Sequence, residues 1–458
     1  MINKIKNDEL LKKIISFSPD TNIYLVGGCI RDFILNKENH DKDIIAACSD
    51  VEQYARSLAD NLEATFITLD EENKIYRLVL KDKTNYIDIA AVIGKNIQED
   101  LKRRDFTINS VAVNLHSMEI LDINNGLNDL KNKIIRGISD KNFSDDPLRL
   151  LRAYRFHANL GFDIDEHLQT ILNKNFQTLK NVAVERINAE LLKLFEGEFA
   201  HKTLALMDKN LEYFFPIVKE VKKIPPNSHH HLPLFEHSIE TMRQVQMFYN
   251  KSNDIIKTHL KPRLGLLKLG AFLHDIGKPQ TWTIEEDTGR HRFIKHDDVG
   301  SKIVVPTLKS LNFSKKQIAY TAALIKNHIY PSQVISSHGD LKKTFMRYIR
   351  KTDDMAIDII AVAMADRLSA RGKEITEEIV KQNIDGLTKL LNFYLEIKDS
   401  LEPLPVLLDG NEIMAKFGIK PSPQLGKIIS ALKEAQISGE VNTKTEAKNF
   451  VEEFLKKV

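Results

Sequence analysis

The sequence predicts an α+β protein: a small mixed β-sheet unit at the N-terminus, followed by helical parts over the rest of the 458 residues. Three observations carry this. Short β-rich runs of strand length, broken by turn residues, fill the region up to residue 92. Inside it, Tyr24-Leu-Val-Gly-Gly-Cys-Ile-Arg-Asp-Phe-Ile-Leu35 reads as strand, paired glycines and helix start, and a second strand follows with Asp41-Lys-Asp43-Ile-Ile. From Asp145 onward the apolar spacing turns helical. The length suggests about three or four domains. A hydrophobic share of 42% with 28% charged residues is that of a globular chain, and a net charge of +3 admits a nucleic-acid partner without requiring one. Two cysteines, Cys29 and Cys48, exclude a disulfide scaffold and a thiolate zinc site. Met1–Phe17 lacks a signal-peptide core and no apolar run reaches membrane-span length, so the expectation is a cytoplasmic protein without a membrane partner.

Taken in order, Asp8–Phe17 is an opening helix ended by Ser18-Pro19. In the next unit, Gly27-Gly28 lets backbone approach a ligand, and the helix start behind it presents N–H groups that suit phosphate. Side chains two apart on a strand share a face, so Asp41 and Asp43 point the same way. Paired carboxylates beside a phosphate cradle are what Mg²⁺-dependent phosphoryl or nucleotidyl transfer needs. Val51–Leu62 follows as helix, Ala64–Leu69 as strand, Asp70–Asn73 as turn, and Ile75–Leu80 and Tyr86–Val92 as strands. The last carries Asp88, read either as a third metal carboxylate or as an edge-strand aspartate facing solvent.

The run Gly27-Gly28-Cys-Ile-Arg31-Asp with Asp41-Lys-Asp43 resembles the nucleotidyltransferase motif of class II tRNA nucleotidyltransferases (CCA-adding enzymes) and bacterial poly(A) polymerases. Lys102-Arg103-Arg104 alone would be a solvated helix face, yet Arg103-Arg-Asp-Phe-Thr-Ile-Asn109 resembles the family's second motif. Arginine forks bind phosphate bidentately. The resemblance implies that Gly27, Gly28, Arg31 and Arg104 cradle sugar and phosphates while Asp105 and Asn109 order the site. Leu121–Leu130 with Ile134-Ile-Arg136 is similar to the family's hinge, matching at Asp122, Gly126 and Asp129.

In Asp146-Pro-Leu-Arg149-Leu-Leu-Arg152-Ala-Tyr-Arg155, an acidic N-cap region and a first-turn proline open a helix. Arginines three apart form a drifting stripe, by itself an ordinary solvated face. The stretch resembles the family's nucleotide-selecting motif, which implies that Asp146, Arg149 and Arg152 read base and triphosphate. A carboxylate accepts from an exocyclic amine and arginine donates to a ring acceptor, a pattern cytosine and adenine share. A helix through Glu185–Phe195 completes a neck.

Lys222–Pro233 contains Pro225-Pro226 and His229-His230-His231. Adjacent histidines diverge on a regular backbone, so the stretch reads as linker. His237, His274-Asp275, His296, His328 and Asp366 then follow. They resemble an HD phosphohydrolase domain, with His237, His274, Asp275 and Asp366 as its minimal metal set and His296 and His328 available for a second position. Imidazole with carboxylate suits Mn, Ni, Co or Fe better than Mg alone. The alternative is the same fold serving as spacer or RNA platform. After a helical connector, Glu374–Leu401, and Pro403-Leu-Pro405, the tail resembles the C-terminal RNA-side segment of HD-containing members.

The resemblance thus implies a catalytic head (1–137), a helical neck (138–221), an HD domain (222–375) and a C-terminal helical segment (376–458). It implies template-independent addition of C and A from CTP and ATP to the 3′ end of tRNA, with Mg²⁺ on Asp41 and Asp43. Phe66–Asn73 stands where many members carry a Gly-rich segment, so poly(A), CC-only and A-only addition stay open. A rival of another class is a phosphohydrolase with an RNA-binding head.

Overall fold

Strand β1 (Asn22–Val26) sits near the centre of a seven-stranded sheet because it is buried on both faces: Ile23, Leu25 and Val26 are all shielded from solvent. The computed structural model describes residues 1–37, 41–401 and 404–456; Pro403 of the proline connector lies outside them. The other strands are β2 (Asp41–Ala47), β3 (Thr65–Asp70), β4 (Ile75–Val79), β5 (Tyr86–Ala91), β6 (Ala112–Asn114) and β7 (Ile120–Leu121). Their order is β3-β4-β5-β2-β1-β6-β7. Only β2 and β5 pair in parallel; the remaining pairs are antiparallel, so the sheet is mixed. β6 and β7 were not expected, being too short for an alternating pattern to register.

The register does the positioning. Asp43 of β2 lies opposite Asp88 of β5, and Asp88 lies opposite Arg77 of β4. The same alternation turns Lys42, Ile44 and Ala46 inward, where the two apolar residues join Ile23, Leu25, Ile87 and Ile89 under the helix Val51–Leu62. Burying each such aliphatic side chain is worth about 1.5–3 kcal/mol. β5 is interior, which removes the edge-strand reading of Asp88. The first helix is Glu9–Phe17, with Asp8 as its cap accepting from the Leu10 and Leu11 amides; a short helix, Ile2–Asn7, precedes it.

Two compact units divide the chain, Met1–Tyr213 and Phe214–Val458. In the first, the helix Leu148–Leu160 packs on Val184–Glu196 and Ala200–Met207. In the second, the helix Ala356–Ser369 runs through the middle of the bundle with Ile357 and Ile359 to Ala365 all buried. A small hairpin, β8 (Trp282–Ile284) with β9 (His291–Phe293), projects from this bundle.

Candidate active site

A cleft of about 670 Å³ in the first unit is lined by Gly27, Gly28, Arg31, Asp41, Asp43, Arg104, Asp146, Arg149 and Arg152. All nine nucleotide-site residues singled out from the sequence therefore face one space. Gly27 adopts φ +72°, and a Cβ there would come within 3.1 Å of Arg104 and 3.2 Å of Asp43, so the turn needs glycine both for its backbone angle and for room. Asp43 is pushed up to about 6 by burial first and then by the charges of Asp88 and Asp41, with Arg104 and Arg31 opposing. An acidic pocket that resists full ionisation is what a divalent cation relieves. Asp88 adds to this field, but its carboxylate is held bidentately by Arg77 at 2.7 Å for both bonds.

Asp105 is the organiser. It accepts from the Phe106 amide (2.8 Å), from Asn109 (3.1 Å) and from Arg152 Nε (2.8 Å), with Arg152 Nη2 at 2.7 Å. Burial raises its carboxyl, but Arg152 and these hydrogen bonds outweigh burial and hold it below the usual range. Asn109 in turn accepts from Arg31 (2.9 Å), and Arg104 donates to the Asn109 carbonyl (3.2 Å) while pairing with Asp100. The hinge residues close the support: Asp122 accepts from the Gly126 and Leu127 amides, and Asp129 from Thr107 (2.7 Å) and Arg136.

Asp146 and Arg149 share the cleft but do not pair with each other. Asp146 accepts from Arg186 (3.0 Å), whereas Arg149 donates to the carbonyls of Arg103 (2.8 Å) and Asn142 (3.1 Å). Arg186 and Lys193, seven apart on the helix Val184–Glu196, are further cations in the lining that sequence reading passed over. Their spacing of two helical turns was the available signal.

The second unit brings His237, His274, Asp275, His296, His328 and Asp366 together. His237 Nε2 is 3.1 Å from Asp366 and 3.6 Å from Asp275 Oδ2; His274 Nε2 is 3.1 Å from that same Oδ2. The other oxygen, Oδ1, faces His296 (3.2 Å) and His328 (3.8 Å). Three rings are oriented by their far nitrogens. His274, His296 and His328 donate Nδ1–H to the carbonyls of Ala271, Phe293 and Ile325 at 2.7–2.8 Å, which leaves Nε2 turned to the cluster. Gly277 permits the approach: a Cβ there would lie 2.0 Å from the His296 carbonyl oxygen.

This arrangement fits a metal. His237 Nε2, His274 Nε2, both Asp275 oxygens and Asp366 Oδ1 are buried and turned toward one another, a mixed imidazole and carboxylate donor set converging on one point. Burial lowers His274, but Asp275 and Asp366 outweigh it and raise the ring to about 10. Burial and the neighbouring His274 push His328 down to about 3.

His230 corrects the linker reading. Its ring lies 4.4 Å from that of His237, and it offers a ligand atom within 4.8 Å of those of His237 and Asp366. The connector is not loose: Gly372 and Glu374 amides donate to the His229 and Ser228 carbonyls at 2.9 Å.

Three family models match: the poly A polymerase head domain over residues 23–136, the probable RNA and SrmB-binding site of polymerase A over 161–222, and the HD domain over 234–371. The A-adding tRNA nucleotidyltransferase of Deinococcus radiodurans is 29% identical, covering 94% of this chain and 95% of that protein. The CC-adding enzyme of Thermus thermophilus is also 29% identical, covering 95% and 94%. Among solved structures, the Bacillus stearothermophilus CCA-adding enzyme with CTP aligns at TM-score 0.59 and 17% identity over 98% of this chain and 99% of that one. The Thermotoga maritima CCA-adding enzyme with tRNA aligns at 0.55 and 21%, over 99% and 95%. No helix among the described residues is long and apolar enough to cross a membrane.

Proposed function

The chain is a tRNA nucleotidyltransferase of the poly A polymerase head family with an HD domain, and from that membership we propose that its cleft adds C and A from CTP and ATP to the 3′ end of tRNA. The observation that carries the proposal is the shared cleft in which Asp41 and Asp43 face Arg31, Arg104 and the arginines of the neck. Asp41 and Asp43 would hold Mg²⁺, which when bound neutralises triphosphate charge and acidifies the attacking hydroxyl. Arg31 and Arg104 donate to phosphate oxygens. Arg104 lies against Gly27, so turn and guanidinium approach the same group. Asp105 keeps Arg152 extended into the cleft, which makes Arg152 available to the triphosphate.

Base reading needs one exchange. Asp146 leaves Arg186 to accept from the amine of cytosine or adenine, and Arg149 leaves its two carbonyls to donate to the ring acceptor. The 3′-hydroxyl oxygen then bonds to the α-phosphorus as the bond to pyrophosphate breaks. We read residues 1–137 as head, 138–221 as neck, 222–375 as HD domain and 376–458 as RNA-side segment, and the cytoplasm as the location, in keeping with two free thiols.

A second reading, CC-only or A-only addition, is favoured by relatives that carry those partial activities in their names. Incubation of tRNA lacking its 3′ end, and of tRNA ending in CC, with Mg²⁺ and with CTP and ATP separately and together decides between them. Ordered C, C, A and arrest supports the main reading. Two C additions, or A alone onto a CC end, supports the second. Long A tails would make it a poly(A) polymerase.

For the HD domain we propose phosphohydrolase activity with Mn, Ni, Co or Fe held by His237, His274, Asp275 and Asp366, with His296 and His328 on the opposite oxygen of Asp275. Release of phosphate from a simple aryl phosphate, dependent on added transition metal and lost in Asp366→Ala, tests it.

A further inference from the structure

His230 and His296 belong both to the HD cluster and to the lining of a separate cavity of about 400 Å³. Lys278 sits at the junction, 2.5 Å from Asp275 Oδ2 and 3.4 Å from His230. Beyond it the lining consists of Asn227 and His229 on the connector side, and Arg290, His291, Arg292, Phe293 and Ile294 on the hairpin side. Three permanent cations line this space, and the carboxylates near them, Asp275, Glu374 and Glu285, stand behind the lining rather than in it.

The two arginines differ in how firmly they are held. Arg290 lies 3.3 Å from His229 and only approaches Glu374, at 3.8 Å; Arg292 pairs with Glu285 across the hairpin. Both are about half exposed and keep donors for a ligand. His230 and His291 complete the polar part of the lining. Ile294, 64% exposed, supplies apolar surface at the rim. The volume lies in the range of small-molecule sites.

We propose that this cavity is a subsite for a second, non-reacting phosphate, so that the substrate of the HD site is a nucleotide carrying two separate phosphates, of the nucleoside 3′,5′-bisphosphate class. The proposal rests on the reading of the cluster as a phosphohydrolase site. The reacting phosphate lies at the cluster beside Lys278, and the sugar spans toward Phe293 and Ile294. The distant phosphate meets Arg290 and Arg292, whose forks suit bidentate recognition. In the reaction, water oxygen bonds to phosphorus as the ester P–O bond breaks. The sugar oxygen leaves with one of the water's protons, and inorganic phosphate departs with the other.

Trp282, the chain's sole tryptophan, stands in β8 with its ring 5.4 Å from that of His291, so its fluorescence reports on this cavity. The test titrates the full-length protein in EDTA with adenosine 3′,5′-bisphosphate and with adenosine 3′-monophosphate. The expected result is a saturable change and a preference of about tenfold or more for the bisphosphate, as one charge-assisted contact provides. That preference falls to near unity in Arg290→Gln/Arg292→Gln. Equal affinity for the two ligands, no saturable response into the millimolar range, or an unchanged preference in the variant overturns the proposal. Phosphate release with Mn²⁺ is followed in parallel. Preference without hydrolysis upholds the subsite and fails the hydrolase reading; hydrolysis without preference does the reverse.

Discussion

Asp43→Asn should stabilise the metal-free protein while abolishing nucleotide addition. Asp43 is raised from 3.8 to about 6 by burial and by the Asp88 and Asp41 charges. A group raised in this way destabilises the fold only when ionised: the penalty is absent at pH values below about 4, grows as pH climbs to about 6 and is complete above that. Two units correspond to roughly 3 kcal/mol at most, and partial solvent access to the carboxylate reduces this to about 1–2 kcal/mol. For a unit of the size of Met1–Tyr213 that is a rise of roughly 2–8 °C in the melting temperature of the first unit. Melts followed by circular dichroism in EDTA, near pH 7.5 and near pH 4, provide the assay. The gain should appear at the higher pH and shrink at the lower. Saturating Mg²⁺ should then stabilise the native protein by about 2.7 kcal/mol at 100 times its Kd and leave the variant unmoved. A variant no more stable than the native protein near pH 7.5, or equally stabilised at both pH values, would refute the argument that Asp43 is a strained anion awaiting a cation.

Removing the Asp105 carboxylate, as in Asp105→Ala, leaves Arg152 facing Glu190 alone at 3.8 Å; it should cost about 2–4 kcal/mol in urea unfolding and reduce nucleotide addition, whereas Asp105→Asn should keep part of the fold stability. His274→Ala and Asp366→Ala should purify with less than one equivalent of transition metal by elemental analysis while retaining nucleotide addition. His230→Ala should lower metal retention about 10- to 100-fold, the scale of groups that flank a metal's ligands; unchanged retention would return His230 to the connector. Asp358→Ala removes the buried acceptor shared by His259 (2.7 Å) and Tyr320 (2.5 Å) and should destabilise the second unit by about 2–4 kcal/mol without touching metal content.

Much of the head was legible because its chemistry is written locally. Gly27-Gly28 and Asp41-Lys-Asp43 each need only a turn or a strand to acquire their geometry, and the helix Val51–Leu62 has the predicted bounds because Asp50 caps it and its apolar spacing is regular. What sequence could not give was partnership across the sheet. Asp88 reads as an isolated aspartate until β5 is known to lie between β2 and β4; only then do Asp43 on one side and Arg77 on the other define its surroundings. The same holds for Asp146, whose closest cation, Arg186, lies forty residues on in another helix. Local spacing pairs Asp146 with Arg149, but the helix turns Arg149 toward backbone carbonyls instead.

The histidine triplet shows where a sound local argument stops. Three adjacent side chains do diverge, but divergence argues only against all three binding together. Asn227 accepts from the amides of His229 and His230, which curls the connector, and the 370–375 segment fastens it by two backbone hydrogen bonds. Curled and fastened in this way, the connector sends His230 inward against His237 and leaves His229 outward against Arg290. One turn thus serves the metal cluster and the adjoining cationic cavity at once. A change at Asn227 that loosens the turn should therefore disturb metal retention and the bisphosphate preference together, whereas His230→Ala and Arg290→Gln should separate them.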